Sequence, residues 1–326
     1  MERRSLGSTG VEISCLALGC GTFGGVGSPP ALIGRGLDEA GAFEAMNEAV
    51  ALGITLFDTA FSYAGGASEA MIGRWLAGQA AAVRQRIRIC TKVGTIVSAT
   101  GARIDLSPTA ITAHLCTSLK RLGLTHVDFC MSHAPDPDVP IVKTLEGFAA
   151  VIEAGQTSHI GACNVTPVQL LEALEASERH GLPRYEWVQN AYNLMNRGDE
   201  ADLFAVCREH GLGLTPYSPV AGGMLAGKYG RDRAAPEGSR LSLRPDGMSL
   251  SERDFAAIDK LRRRAERRGV VPGAFALAWV MGHPQVTAPI AGPARSSDHL
   301  QFAREALKVR LDEVERDEIA AWFTGT

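Results

Sequence analysis

Short apolar runs alternate with longer stretches of helical periodicity along the whole chain. This alternation constrains the fold more than any other feature, because it is how strands and crossover helices read in a parallel sheet. Eight strand-helix pairs can be counted, with strands over 16–19, 55–60, 87–93, 127–133, 158–163, 187–190, 213–217 and 286–291. Helical segments follow over 38–52, 68–77, 107–122, 142–154, 166–180, 200–210 and 296–307, and the seventh strand leads into a longer connection instead. Ser107 and Pro108 read as an N-cap and a first-turn residue, and Gly53, Gly123, Gly155, Gly181 and Gly211 fall where helices should end.

At about 150 residues per domain, 326 residues suggest two domains, but no linker or charge shift divides the halves. Eight pairs without a break predict one α/β domain over 1–326, a closed (β/α)8 TIM barrel. Additions are expected at both ends: a β-hairpin over 4–14 turning at Thr9-Gly10, and an extra C-terminal helix over 312–323. The stretch 222–248, rich in Gly, Arg and Pro, reads as a long loop over one face.

Composition narrows the partners. With 33 Lys+Arg against 36 Asp+Glu the net charge is -3, so no global field would hold nucleic acid or an anionic membrane, and a small molecule is the expected partner. No apolar run reaches the roughly 18 residues that span a bilayer, and the start, Met1 to Gly7, has no apolar signal-peptide core, so a cytoplasmic protein is expected. Seven scattered cysteines without a Cys-x-x-Cys pair read as buried reduced thiols, not as disulfides or a zinc site. No metal is expected: the prolines hold His133-Ala-Pro-Asp136-Pro-Asp138 extended, with no second histidine nearby in sequence. Arg262 to Arg264 with Arg267 and Arg268 read as a solvated helix face beside Asp259 and Glu266, and no heptad marks an oligomer interface.

In a barrel the chemistry belongs at the C-terminal ends of strands or just beyond. Asp58, Tyr63, Lys92 and His133 all meet that condition. Together they could donate a proton to a carbonyl oxygen: an ammonium lowers the pKa of a nearby tyrosine, a carboxylate keeps that ammonium in place, and an imidazole orients the carbonyl. The same residues taken separately would be a structural Asp58–Lys92 ion pair with two ordinary surface groups.

Gly19-Cys-Gly21-Thr-Phe-Gly24 satisfies the G-x-G-x-x-G pattern, yet Gly25-Val-Gly-Ser-Pro-Pro30 follows where a Rossmann fold needs a helix, so it reads as the first βα loop. Nucleotide-site features lie later. Tyr217-Ser218-Pro219 leaves the seventh strand with an aromatic ring able to stack, followed by Gly227-Lys228. Gly292-Pro-Ala-Arg295-Ser296 leaves the eighth strand toward a helix N-terminus, where barrels often hold phosphate.

These motifs, taken in order, resemble the aldo-keto reductases nearly end to end. Besides those already named, the resemblance rests on Leu6-Gly-Ser-Thr-Gly-Val11, Phe57-Asp-Thr-Ala-Phe-Ser-Tyr63 with Ser68-Glu69, and Thr91-Lys-Val93. Ser118-Leu-Lys-Arg-Leu122, Asp128 to His133, Gly161-Ala-Cys-Asn164 and Gln189-Asn-Ala-Tyr-Asn193 follow in the family's order.

The resemblance implies an NADP(H)-dependent oxidoreductase that reduces an aldehyde or ketone, with Asp58, Tyr63, Lys92 and His133 as its catalytic tetrad and Tyr63 as general acid. Asn164 and Gln189 would hold the nicotinamide carboxamide and Tyr217 would stack on the ring. Thr22, Asp58, Ser218, Pro219, Lys228, Gly292, Arg295, Ser296 and His299 would complete the cofactor site, Arg295 favouring NADPH over NADH. Substrate contacts are expected from Phe23, Pro29-Pro30 and the stretch 231–248. Two other readings of the resemblance are an alcohol- or sugar-oxidising enzyme and a slow nucleotide-sensing regulatory subunit.

Three departures are visible. Cys163 stands where the family usually has Ser, the loop from Gly292 to Leu300 is one residue longer than usual, and Phe302-Ala303 replaces a Glu-Asn pair that grips adenine.

Overall fold

The computed structural model describes residues 1–98, 100–230, 235–243, 250–293 and 298–323. The expected hairpin is present: β1 (Arg3–Ser5) pairs antiparallel with β2 (Glu12–Ser14). The first four barrel strands are β3 (Ala17–Gly19), β4 (Leu56–Asp58), β5 (Arg88–Val93) and, after a small hairpin of β6 (Thr95–Ser98) and β7 (Gly101–Ile104), β8 (Val127–Ser132). They are followed by β9 (Thr157–Cys163), β10 (Trp187–Gln189), β11 (Gly213–Leu214) and β12 (Ile290–Ala291).

Neighbouring barrel strands pair in parallel in the order β11-β10-β9-β8-β5-β4-β3-β12. Backbone bonds from Thr287 to Leu214 (2.8 Å) and from Ile290 to Pro216 (2.8 Å) join the two ends, so the fold is the expected (β/α)8 barrel. The extra C-terminal helix, Glu313–Ala321, is also present, tied by Arg264 and Arg268 to Glu315.

Local chemistry explains the helix boundaries. Ser107 caps the helix Pro108–Leu122 through Ala110 N–H, and Thr166 with Gln169 forms a reciprocal capping box on Pro167–His180. The Arg run lies on the helix Glu252–Arg267, with Arg262 paired to Asp259 and Glu266. The connection after β11 is more structured than a loop: it holds short turns of helix at Ala221–Ala226 and Arg240–Leu243, although 231–234 and 244–249 lie outside the described residues.

Strand parity decides which residues meet. Alternate side chains point to opposite faces of a strand, so Leu56 and Asp58 share a face, as do Cys90 and Lys92, and Phe129 and Met131. Leu56, Cys90, Phe129, Met131, Cys163, Trp187 and Ile290 form the apolar barrel interior, closed below by Leu6 and Ile13 of the hairpin. The opposite parity, including Phe57, Ile89, Cys130 and Val188, packs against the surrounding helices. Gly161 also faces inward, and a Cβ there would lie 2.6 Å from the Trp187 ring, so only glycine leaves room for that indole.

No helix among the described residues is long and apolar enough to cross a membrane.

Candidate active site

Parity places Asp58 and Lys92 one layer above the apolar floor, at the C-terminal ends of β4 and β5. Lys92 is 0% exposed and Asp58 3%, and an ammonium can be buried this deeply only with partners that replace its water. Lys92 Nζ donates to Asp58 Oδ1 (2.5 Å) and to the Thr59 carbonyl (2.8 Å). Burial alone would lower the Lys92 pKa, but Asp58 outweighs it and holds the ammonium above its ordinary value. The second Asp58 oxygen accepts from Gln189 Nε2 at 2.8 Å, so Gln189 braces the ion pair from β10. Gln189 Oε1 lies 3.8 Å from Cys163 Sγ, and burial pushes that thiol up to about 12, keeping it protonated.

Tyr63 stands beside this pair, on the turn after β4. Lys92 Nζ lies 5.1 Å from its ring centroid, and the His133 ring meets it edge-on at 5.5 Å. Lys92 lowers the Tyr63 pKa, as expected from the sequence, yet the net shift is upward to about 12, because burial penalises the phenolate more and Asp58 adds to it. Tyr63 is therefore a neutral donor at neutral pH. Burial, with Lys92 contributing, drives the His133 pKa down to about 3, so its ring is neutral and carries one N–H. His133 Nδ1 faces Ser62 Oγ at 3.5 Å, and Ser62 bonds Ser28 of the first loop at 2.8 Å.

Besides Asp58 and Gln189, the residues expected around a nucleotide divide into four groups. Asn164 and Tyr217 are brought to the mouth together: Tyr217 Oη donates to Asn164 Oδ1 (2.8 Å), and Asn164 Nδ2 reaches the His133 carbonyl (2.9 Å) and Cys163 Sγ (3.2 Å). Thr22, Ser218, Pro219 and Gly292 lie on the loops after β3, β11 and β12; the Ser218 carbonyl accepts from Asn193, and a Cβ on exposed Gly292 would meet nothing within 4 Å among the described residues. Lys228 and His299 each have a neighbour of their own. Lys228 Nζ sits 5.3 Å from the Tyr229 ring centroid, and buried His299 places Nε2 3.5 Å from Glu44 while its backbone N–H donates to Glu48 Oε1 at 3.3 Å. Arg295 and Ser296 lie outside the described residues.

Phe23 does not face a substrate space; it is fully buried in the layer between sheet and helices, because the first loop folds back through a bridge from Phe23 to Leu37. Asp136 braces loops, accepting from Leu106 N–H (2.7 Å) and Asp138 N–H (3.0 Å). Sequence reasoning assigned no role to Glu69 and Arg121, a fully buried carboxylate paired with a half-buried guanidinium beside the Tyr63 turn.

Two half-buried histidines carry a prediction for stability. His133 and His283 stay neutral in the fold down to about 3 and about 4, burial being the first cause of each shift, whereas an unfolded histidine takes a proton near its ordinary 6.5. As pH falls through 6.5 the unfolded chain binds protons that the folded chain refuses, so stability drops on acidification before carboxylates titrate. Thermal melts between about pH 7 and 5 should show Tm falling, with a shallower slope in His283→Gln. An unchanged slope in that variant would remove His283 from the account.

With this geometry in view, comparison with known proteins is direct. Residues 16–322 match the model of the Aldo/keto reductase family. The chain is 32% identical over 320 residues to the uncharacterized oxidoreductase YrpG of Bacillus subtilis (strain 168), covering 96% of this chain and 93% of that protein. It is 30% identical over 318 residues to the Glycine max protein named "Probable aldo-keto reductase 1", covering 96% of this chain and 86% of the relative. It is also 30% identical over 337 residues to versiconal hemiacetal acetate reductase of Aspergillus parasiticus, covering 95% and 94%. A match across nearly the full length, on a barrel whose strand ends gather a carboxylate, an ammonium, a phenol and an imidazole, leaves one conclusion: the chain belongs to the aldo-keto reductase family and is an oxidoreductase.

Proposed function

We propose that this oxidoreductase reduces an aldehyde or ketone to an alcohol using NADPH, with Tyr63 as the general acid. The observation that carries the reading is the buried Asp58–Lys92 pair set beside the Tyr63 ring, since a cation buried at that cost is best explained by a charge that must appear next to it. Bound reduced nicotinamide supplies the hydride. Tyr63 Oη gives its proton to the carbonyl oxygen as that oxygen gains charge, and the Lys92 ammonium stabilises the phenolate left behind. The neutral His133 ring donates one hydrogen bond to the same oxygen. A high tyrosine pKa is no obstacle to reduction, because an alkoxide is a far stronger base than a phenolate.

The residues present suit such a cofactor. Thr22 Oγ1, on the loop after β3, is buried and has no hydrogen-bond partner among the described residues, so it is available to a ribose or amide group. Asn164 and Tyr217 at the mouth would take the carboxamide and the ring face, with Gln189 beneath them. Gly292, Arg295 and Ser296 would meet phosphate after the last strand, and Arg295 supports NADPH over NADH through a fork that pairs with a further phosphate.

A panel of aldehydes, ketones and alcohols, followed by nicotinamide absorbance, tests the function. We expect NADPH consumption with a subset of carbonyls, and Arg295→Ala should weaken NADPH by about 10-fold or more while changing NADH little, the loss expected of a charged hydrogen-bond pair. Tight nucleotide binding with no carbonyl or alcohol moving the signal would overturn the catalytic reading. Equal weakening of both nucleotides would overturn the cofactor preference.

A further inference from the structure

We propose that Arg121, held by the buried carboxylate of Glu69, is a positioning residue that sets where Tyr63 presents its hydroxyl to Lys92. The inference rests on the acid role proposed for Tyr63.

The turn that carries Tyr63 is strained. Ala64, Gly65 and Gly66, which follow it directly, have φ of 49°, 64° and 100°, all left-handed. Ala64 has a Cβ and adopts that region only where the surroundings enforce it. Two contacts do so: Ala64 N–H donates to the Gly27 carbonyl at 2.9 Å, and Arg121 grips the backbone on both sides of Tyr63. Arg121 Nη1 donates to the Phe61 carbonyl (2.8 Å) and Nη2 to the Gly65 carbonyl (3.4 Å). The guanidinium also lies 4.8 Å from the Phe61 ring centroid, and that ring stacks on His114 at 4.3 Å. A Cβ on Gly66 would fall 2.2 Å from Arg121 Cζ, so the turn closes directly on the guanidinium.

The other end of the arrangement reaches the lysine strand. Glu69 is 0% exposed; Oε2 pairs with Arg121 Nη1 (3.1 Å) and Oε1 accepts from Thr91 Oγ1 (2.7 Å), the residue before Lys92. Phe61 N–H donates to the Lys92 carbonyl at 2.9 Å. Arg121 and Glu69 thus brace the Tyr63 turn against β5. A planar fork with five donors can hold two carbonyls and a carboxylate together, and an ammonium cannot reproduce that geometry.

Arg121→Lys is the informative variant, because it keeps a cation opposite Glu69 while losing the fork. The measurements are NADPH-dependent turnover of 4-nitrobenzaldehyde, NADPH affinity, and hydrogen exchange over the whole chain, read most closely in peptides covering 59–68 and 88–93. We expect kcat to fall by about 10²-fold, as for a displaced catalytic group, with NADPH affinity unchanged and faster exchange confined to 59–68. A folded Arg121→Lys protein with full turnover overturns the proposal, and so does faster exchange spread over the whole barrel. If Arg121→Lys does not fold, Glu69→Gln combined with Arg121→Met leaves neither charge unpaired and must show the same split. If 4-nitrobenzaldehyde is not turned over, the exchange pattern decides alone. Tyr63→Phe separates the two readings: full turnover there defeats the acid role itself, whereas its loss beside full turnover in Arg121→Lys defeats only the positioning role.

Discussion

Tyr63→Phe should lower carbonyl reduction by about 10²–10⁴-fold, the contribution expected of a positioned general acid, while the protein keeps its stability and its nucleotide affinity. The substitution removes one hydroxyl. The ring retains its edge contact with His133 and its place 5.1 Å from Lys92 Nζ, and Lys92 keeps Asp58 and the Thr59 carbonyl as partners. No buried charge is uncovered, so melting should be nearly unchanged. The groups proposed to hold the nicotinamide, Asn164 and Tyr217, bond each other and the His133 carbonyl, not the Tyr63 hydroxyl. Single-turnover rates with saturating nucleotide would isolate the chemical step, and a rate within about tenfold of the native value would defeat the mechanism.

The same group fixes the sign of the pH response. In the proposed mechanism reduction needs Tyr63 protonated, and burial holds its pKa up at about 12 in the free protein. Reduction should therefore persist across the neutral range and fade only at strongly alkaline pH, whereas alcohol oxidation, which needs the phenolate, should gain as pH rises.

The barrel and the gathering of Asp58, Tyr63, Lys92 and His133 at one end of it were legible because both depend on short-range pattern. Alternating apolar strands declare their own length, and Asp58, Lys92 and His133 stand at strand ends where an apolar run has no use for polarity. Residues that act through distant partners were not legible in this way. Glu69 and Arg121 lie on separate helices, and nothing in their local sequence says that one is wholly buried against the other. The bond from Gln189 to Asp58 was not foreseen either, because only parity on β10, seen in three dimensions, brings that amide onto the ion pair.

Other differences have equally local causes. The β6–β7 hairpin was missed because Thr95–Ser98 and Gly101–Ile104 are short and largely open to solvent, so burial imposes no alternation on them. Phe23 sits in a Gly-rich loop that looked free to meet a ligand, but the bridge to Leu37 folds its ring into the core. The net upward shift of Tyr63 depends on burial, a three-dimensional quantity, while the downward pull of Lys92 could be anticipated from strand-end neighbours alone.

Lys92→Met should be costly twice, and the two costs can be separated. Removing the ammonium leaves Asp58 buried with one oxygen held only by Gln189, and an uncompensated buried carboxylate costs about 3–5 kcal/mol. For a protein of this size that corresponds to a Tm loss on the order of 10 °C. Reduction should also fall by at least about 10²-fold, since the phenolate formed at Tyr63 loses the charge that stabilises it. Adding Asp58→Asn to Lys92→Met removes the orphaned charge and replaces it with an amide that can still meet Gln189. The double variant should regain most of the lost stability, because buried ion pairs replaced together by neutral groups are often close to neutral in energy. Its turnover should stay as low as that of Lys92→Met, since restoring the fold does nothing for the charge on Tyr63. Melting curves and single-turnover rates on the same preparations supply both readouts. If activity returned together with stability, Lys92 would be a structural partner of Asp58 and the proton donor would have to work without it.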